Sequence, residues 1–127
     1  MHLLDTSFLI DYFFGKPPFV IKFNELSERI VYISVISSAE LLSGAKEKDV
    51  SSVNNFLDSF IIIPITDKIA RQSGITRREL KEKGYKKALP DILIGQTAIE
   101  HNLILVTSNP KDFPQLAARK LLMGYSG

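Results

Sequence analysis

Short, nearly continuous apolar runs separated by helical patterns are the feature that most constrains the fold of this chain. The runs cover residues 1–5, 30–33, 61–65, 103–107 and 120–123. Strands that are apolar on both faces are typical of a parallel sheet with helices on both sides, because neither face meets water. The pattern therefore predicts an α/β fold, with three layers (α/β/α) around a central parallel sheet of four to five strands.

Helical patterns fill the segments between these runs. They cover residues 8–15, 17–29, 36–42, 49–60, 67–84 and 90–99, with a short turn or helix at 111–118. Asp67 is expected to cap the basic helix that follows it, and Ser73-Gly74 is a candidate break within that helix. The chain has 127 residues, of which 45% are hydrophobic, and no segment has the composition of a linker. We therefore expect one domain over residues 1–127.

The absence of cysteine excludes disulfides, thiolate metal sites and cysteine nucleophiles, and it fits a reducing compartment. The longest apolar runs are too short to span a membrane, and the N-terminus lacks the basic start and long apolar run of a signal peptide. We therefore expect a cytoplasmic protein that is neither exported nor inserted into a membrane.

Four acidic residues lie around the ends of the predicted strands, namely Asp5, Glu40, Asp91 and Asp112. Ligands of parallel sheets bind beyond the carboxyl ends of the strands, so these side chains are expected to share one edge. Taken singly, each acid also has a structural explanation, as a helix cap, an exposed helical residue or a turn residue. The functional hypothesis therefore depends on their being together.

Carboxylates at one edge repel one another and raise each other's pKa unless a divalent cation neutralises them. Oxygen ligands without Cys or His in these segments suit Mg²⁺ or Mn²⁺ better than zinc. His101 is expected to end a helix, and His2 is expected to lie at the surface. The acids therefore predict a metal site that hydrolyses phosphodiester bonds.

Basic residues are concentrated between Lys68 and Lys87, where eight basic residues stand against two acidic ones although the whole chain carries only +2. Such a basic arm on an acidic body is expected when a polyanion lies along one surface. Arg77, Arg78 and Lys81 are the candidate contacts to such a polyanion. A solvated helix face with no ligand is the alternative interpretation.

Four segments carry a family resemblance, and they lie in order along nearly the whole chain: Leu3–Asp11, Ile33–Ala45, Asp91–Ala98 and Leu105–Phe113. They resemble the four motifs of PIN-domain ribonucleases, most closely the VapC-type toxins. The resemblance implies a nuclease that cleaves RNA with Mg²⁺ or Mn²⁺, is usually a homodimer, and is silenced by a small antitoxin protein.

The resemblance also implies roles for individual residues. The family's first three acids map onto Asp5, Glu40 and Asp91, and its supporting hydroxyls map onto Ser7 and Thr107. Many members have a fourth acid where this chain has Asn109, so the fourth ligand is either Asn109 or Asp112.

Three alternative functions are considered. A PIN-like module without catalysis would bind RNA or protein, although the presence of Asp5, Glu40 and Asp91 together argues against it. A receiver domain needs an acceptor Asp after its third strand, where Pro64-Ile65-Thr66 stands, and a haloacid-dehalogenase-like phosphatase needs a second Asp where Ser7 stands.

Overall fold

A parallel five-stranded sheet forms the middle layer of the computed structural model, which describes residues 1–26 and 31–124. Within these ranges the strand order is β3-β2-β1-β4-β5, and every neighbouring pair is parallel. The strands are β1 (His2–Leu4), β2 (Val31–Ser34), β3 (Ile61–Ile63), β4 (Ile104–Thr107) and β5 (Leu122–Gly124). The predicted α/β class and five-stranded parallel sheet are confirmed.

Helices connect the strands and cover both faces of the sheet. They are α1 (Thr6–Phe13), α2 (Pro17–Leu26), α3 (Val35–Gly44), α4 (Val50–Leu57), α5 (Asp67–Glu82), α6 (Leu89–His101) and α7 (Pro114–Ala117). Short 3₁₀ turns at Glu47–Asp49 and Pro110–Asp112 complete the described connections. None of the helices in the described part of the chain is long and apolar enough to cross a membrane.

Two hydrophobic cores lie on opposite faces of the sheet. Leu4 and Val106 belong to the core formed with α1 to α4, whereas Leu3 and Leu105 belong to the core formed with α6 and α7. Adjacent strand residues point to opposite faces, so strands apolar throughout are needed to fill both cores. The strands are therefore apolar because both faces of the sheet are buried, which is the reason for which the sequence pattern predicted a covered parallel sheet.

The position of β1 determines where the site lies. The chain leaves β1 to form β2 on one side and later returns to form β4 on the other, which makes the β1/β4 boundary the point where strand order reverses. A crevice forms at such a boundary because the connections from the two strands go to opposite faces of the sheet.

Two predictions about individual residues are wrong. His2 was expected at the surface, but it is only 1% exposed because it belongs to the central strand, paired with both β2 and β4. Asp67 was expected to cap α5, but the cap is Thr66, whose Oγ1 accepts the Ile69 N–H at 3.2 Å. His101 does end α6, as predicted.

Several element boundaries also differ from the predictions. Helix α5 continues through Ser73-Gly74 without the expected break. Ser73 is buried there, and its hydroxyl is satisfied by the Ile69 carbonyl at 2.7 Å. Strand β3 ends at Ile63 because the following Pro64 has no N–H to pair. The expected end of the second helix, at residues 27–29, and the expected strand residue Ile30 lie outside the described residues.

Candidate active site

Asp5 is fixed at the carboxyl end of β1, where α1 begins. Its N–H donates to the Val106 carbonyl at 3.0 Å and so extends the pairing of β1 with β4. Its Oδ1 accepts the Thr6 N–H at 2.9 Å as the cap of α1. The Asp5 side chain therefore has one position, in which the residue is only 5% exposed.

A directed chain of hydrogen bonds ends on Oδ2 of Asp5. Thr107 Oγ1 donates to it at 2.7 Å and accepts the Asn109 N–H at 3.0 Å. Ser7 Oγ also donates to it, at 3.1 Å. Ser108 Oγ donates to Ser7 at 3.1 Å and accepts from the Asn109 amide at 3.4 Å. Because a hydroxyl has one proton to give, every donor in this network points toward the carboxylate.

Burial and the hydrogen-bond network have opposite effects on the pKa of Asp5. Burial raises the pKa of Asp5, and the charge of Glu40 acts in the same direction. The hydrogen bonds from Thr107, Ser7 and the Thr6 N–H lower the pKa and partly offset the burial. The hydroxyl groups therefore favour the charged form of Asp5.

Glu40 is held by a second hydroxyl chain, between α1 and α3. Thr6 Oγ1 donates to Glu40 Oε1 at 2.7 Å and lies 2.8 Å from Ser37 Oγ. Since the single Thr6 proton goes to Glu40, Ser37 must be the donor to Thr6. Ser37 is fully buried. The two helices are thus joined through a polar chain that fixes the Glu40 carboxylate beside Asp5.

Asp91 lies in the first turn of α6 and is half-buried. Burial is the main cause that raises the pKa of Asp91 to about 6. The negative charges of Asp5, Asp112 and Glu40 act in the same direction. The ammonium of Lys87 opposes them. Asp5, Asp112 and Glu40 therefore lie close enough to Asp91 for their charges to raise its pKa.

Lys87 reaches this acidic site from the loop between α5 and α6. Its Nζ lies 3.7 Å from Asp112 Oδ1 and donates to the Lys111 carbonyl at 3.2 Å. Its own carbonyl accepts from Arg77 Nε at 3.1 Å, which ties the loop to α5. The Lys87 side chain is 19% exposed and that of Asp112 is 38% exposed, so Asp112 is at the open side of the site.

The donor chemistry of the site suits a hard divalent cation. Asp5 uses three of its roughly four acceptor positions, which leaves room for one more partner. A cation there would offset the burial and repulsion that raise the pKa values of Asp5 and Asp91. In the described residues no three His, Cys, Asp or Glu side chains are close enough together to form a ready ligand set.

A cationic cavity lies beside the acidic site. It has a volume of about 730 Å³ and lies between α5 and the loop leading into α6. Its lining includes Arg77, Arg78, Lys81, Tyr85, Lys86 and Lys87. The three basic residues predicted to contact RNA thus line one concave surface, together with an aromatic side chain.

Sequence reasoning did not assign four residues that the structure brings into the site: Thr6, Ser37, Ser108 and Lys87. Two signals could have found the first three. Thr6 and Ser108 are the hydroxyl neighbours of Ser7 and Thr107 in the sequence. Ser37 precedes Glu40 by three residues on one helix, which is a helical neighbour position.

The PIN domain family matches residues 2–119. The chain belongs to the PIN domain family. Ribonuclease VapC1 from Methanocaldococcus jannaschii is 35% identical to this PIN domain over 115 residues, which are 90% of the chain and 79% of that protein. Ribonuclease VapC10 from Mycobacterium tuberculosis is 36% identical over 88 residues, 69% of the chain, and the chain spans 66% of that protein's length.

Two solved complexes contain chains that share the fold of this PIN domain. A toxin-antitoxin complex from Klebsiella pneumoniae contains a chain that is 33% identical, with a TM-score of 0.80 and full coverage of both chains. VapBC2 from Rickettsia felis, bound to a DNA fragment from its promoter, contains a chain that is 27% identical, with a TM-score of 0.79 over 98% of each chain. The PIN domain is therefore of the VapC type, and the receiver and phosphatase alternatives are wrong.

Proposed function

We propose that this PIN domain is an endoribonuclease that uses Mg²⁺ or Mn²⁺ to hydrolyse RNA phosphodiester bonds. The observation that carries the proposal is that two acids lie close enough for their negative charges to repel each other: buried Asp5 at the carboxyl end of β1 and half-buried Asp91 in the first turn of α6. Repulsion between carboxylates is typical of functional sites, where a bound cation relieves it. The relation to VapC ribonucleases supports RNA as the substrate.

Asp5, Glu40 and Asp91 are the proposed cation ligands, with Asp112 as the fourth acid. A divalent cation bound there would lower the pKa of a water and stabilise the leaving oxyanion. Ser7 and Thr107 favour the charged form of Asp5 and fix its carboxylate. Asn109 supports Thr107 through its N–H and Ser7 through Ser108. Thr6 donates to Glu40 and fixes the position of its carboxylate. The hydroxyl chains therefore hold the carboxylates in place before the substrate arrives.

The cationic cavity is the proposed route for the RNA backbone. Arg77, Arg78 and Lys81 line it on the side of α5, and Lys87 lies between the cavity and Asp112. Contacts to phosphates bind a nucleic acid without reading its sequence. Recognition of particular RNAs therefore needs contacts beyond these three residues.

The biological role proposed is that of a toxin in a toxin-antitoxin pair. Similar chains have been solved within such complexes, which supports a small antitoxin protein as partner. A homodimer, which the VapC resemblance implies, and a cytoplasmic location, which the absence of cysteine fits, are also part of this proposal.

Incubation of the purified protein with total RNA tests the proposed activity. Wild type is expected to cleave RNA with Mg²⁺ or Mn²⁺ and to stop in excess chelator. Asp91→Asn is expected to be inactive, whereas Asp58→Asn, at the exposed end of α4, is expected to match wild type. Full activity of Asp91→Asn would contradict the proposed site, whereas RNA left intact by wild type with either metal would favour a PIN-like module that only binds RNA.

A further inference from the structure

We propose that the cationic cavity is a nucleotide subsite, in which Tyr85 stacks on a base and Lys87 holds the phosphate that enters the acidic site. The inference rests on the proposed ribonuclease function and deepens it, because it names the part of the substrate that each residue would contact. Three observations carry it: the size and lining of the cavity, the exposure of Tyr85, and the position of Lys87.

The cavity has the dimensions of a small-ligand site. Its volume of about 730 Å³ lies within the usual range of about 300–1,000 Å³ for pockets that hold small molecules. Its lining combines five basic side chains with one aromatic ring, as named above. Sites for single-stranded nucleic acid combine the same two elements, cations for the backbone and aromatic rings for the bases.

Tyr85 supplies the aromatic surface. It is 44% exposed, although a tyrosine normally buries much of its ring in a protein of this size. Its N–H is fixed by the Leu80 carbonyl at 2.8 Å, and the loop is held again two residues later by the Arg77 bond to the Lys87 carbonyl. The ring therefore stands on a restrained loop, which lowers the entropy lost when a base stacks on it.

Lys87 connects this cavity to the acids. It lines the cavity, yet its Nζ is held by the Lys111 carbonyl and lies 3.7 Å from Asp112 Oδ1. A phosphate at this ammonium would lie between the base on Tyr85 and the carboxylates. Lys87 is thus a candidate substrate contact, and its pairing with Asp112 keeps the ammonium in position at the boundary.

Binding of a short single-stranded RNA carrying one 2-aminopurine tests the two contacts separately. The Asp91→Asn protein is used as the background, so that the RNA stays intact. Stacking on aromatic side chains is worth about 1–3 kcal/mol per base, so Tyr85→Leu is expected to raise Kd by about 5- to 150-fold and to remove the quenching of 2-aminopurine. Tyr85→Phe keeps the ring and is expected to keep both affinity and quenching.

Lys87→Met is expected to act differently. Losing one phosphate contact lowers the slope of log K against log salt by about 0.7 for a single strand, whereas Tyr85→Leu leaves that slope unchanged. Lys120→Met removes the same charge at an exposed position outside the cavity and is expected to bind like the background protein.

The outcomes separate this inference from the proposed function. If wild type cleaves RNA but Lys87→Met and Tyr85→Leu bind like Lys120→Met, the subsite is wrong and the ribonuclease function stands. If wild type leaves RNA intact with metal present but the two variants change the slope and the quenching as expected, the subsite stands and the proposed reaction is wrong.

Discussion

Asp91 shows at the scale of one residue how function and stability oppose each other. Its carboxylate lies half-buried near three other acids, and burial with their charges raises its pKa to about 6. A residue placed only to favour the start of α6 would gain nothing from such neighbours. The strain is therefore best explained by a ligand that the site holds during its work.

Asp91→Asn is expected to stabilise the protein in chelator above about pH 6. Because the pKa of Asp91 rises from 3.8 to about 6 on folding, the folded state holds the proton more tightly between these values. The free energy of unfolding therefore falls as the pH rises through this window, by less than the roughly 3 kcal/mol of the full shift, because solvent screens a half-buried carboxylate. Urea unfolding of wild type and variant at about pH 4 and about pH 8 measures the difference.

The stabilisation by Asp91→Asn should be larger at the higher pH. Asp58→Asn, at an exposed position, is the control and is expected to show no such pH dependence. An equal effect of Asp91→Asn at both values would show that its carboxylate is not destabilised on folding.

The identity of the fourth ligand, Asn109 or Asp112, is a second question at the scale of single residues. Asn109 bonds to Thr107 and Ser108 through its N–H and its amide, as a supporting residue does. Asp112 offers a charge at the open side of the site. We therefore expect Asp112→Asn to lower the cleavage rate and its dependence on Mn²⁺ more than Asn109→Ala does, because a carboxylate binds a cation more strongly than an amide.

Cleavage rates of these two variants across a Mn²⁺ titration measure the effect, with circular dichroism to confirm that each is folded. Asn109→Asp is expected to tighten metal binding, because it adds a carboxylate. A wild-type profile for Asp112→Asn beside an inactive Asn109→Ala would reverse the two roles.

Helices α1 and α3 cooperate at the scale of elements, because the Ser37–Thr6–Glu40 chain joins them. Thr6→Val keeps the shape of the side chain but leaves two polar groups without their partner. We expect a loss of about 1–3 kcal/mol in unfolding free energy, together with a loss of cleavage beyond the unfolded fraction. Thr97→Val is a matched control, since the buried Thr97 hydroxyl bonds only within its own helix, to Leu93 at 2.8 Å.

Thermal unfolding and cleavage rates of the two variants are compared at a temperature where both are folded. Thr97→Val is expected to lose stability and keep its specific activity. Equal specific activities for the two variants would mean that Thr6 has a structural role alone.

Helix α5 and the loop after it carry the expected RNA surface. Reversal of Arg77, Arg78 and Lys81 to Glu is expected to weaken RNA binding for all sequences and to flatten its salt dependence, because phosphate contacts release counterions. Metal-induced stabilisation should stay unchanged, since these residues lie in the cavity and not among the acids. An unaltered salt slope would favour the solvated helix face instead.

Sequence patterns predicted the elements well where a local cause determines them. The apolar strands, the start of α6 near Pro90 and the position of Glu40 after β2 follow from burial and local backbone preferences. The burial of His2 could not be predicted, because it depends on the position of β1 as the central strand. The contacts of Thr6 and Lys87 depend on which helices pack together, and a single sequence does not state this.

The acidic site and the cationic cavity meet at the scale of the whole molecule, on either side of Lys87. The sheet order brings Asp5 and Thr107 together, although they are far apart in the sequence. The loop between α5 and α6 then brings the basic cavity to the same edge. One edge of a small domain can therefore hold a polyanion and carry the acids that would cleave it.

A single Mn²⁺ titration tests the central claim, that the acids bind the cation with which the protein cleaves RNA. Thermal stability and the cleavage rate of a defined RNA are measured in the same samples, for wild type and Asp5→Asn. At about a hundredfold excess over Kd, binding to the folded state adds about 2.7 kcal/mol. In wild type the rate should therefore be half-maximal near the same Kd above which stability rises with the logarithm of the Mn²⁺ concentration. Asp5→Asn should show neither rise. Cleavage that persists in chelator, or identical melting of both proteins at all Mn²⁺ concentrations, would contradict the account.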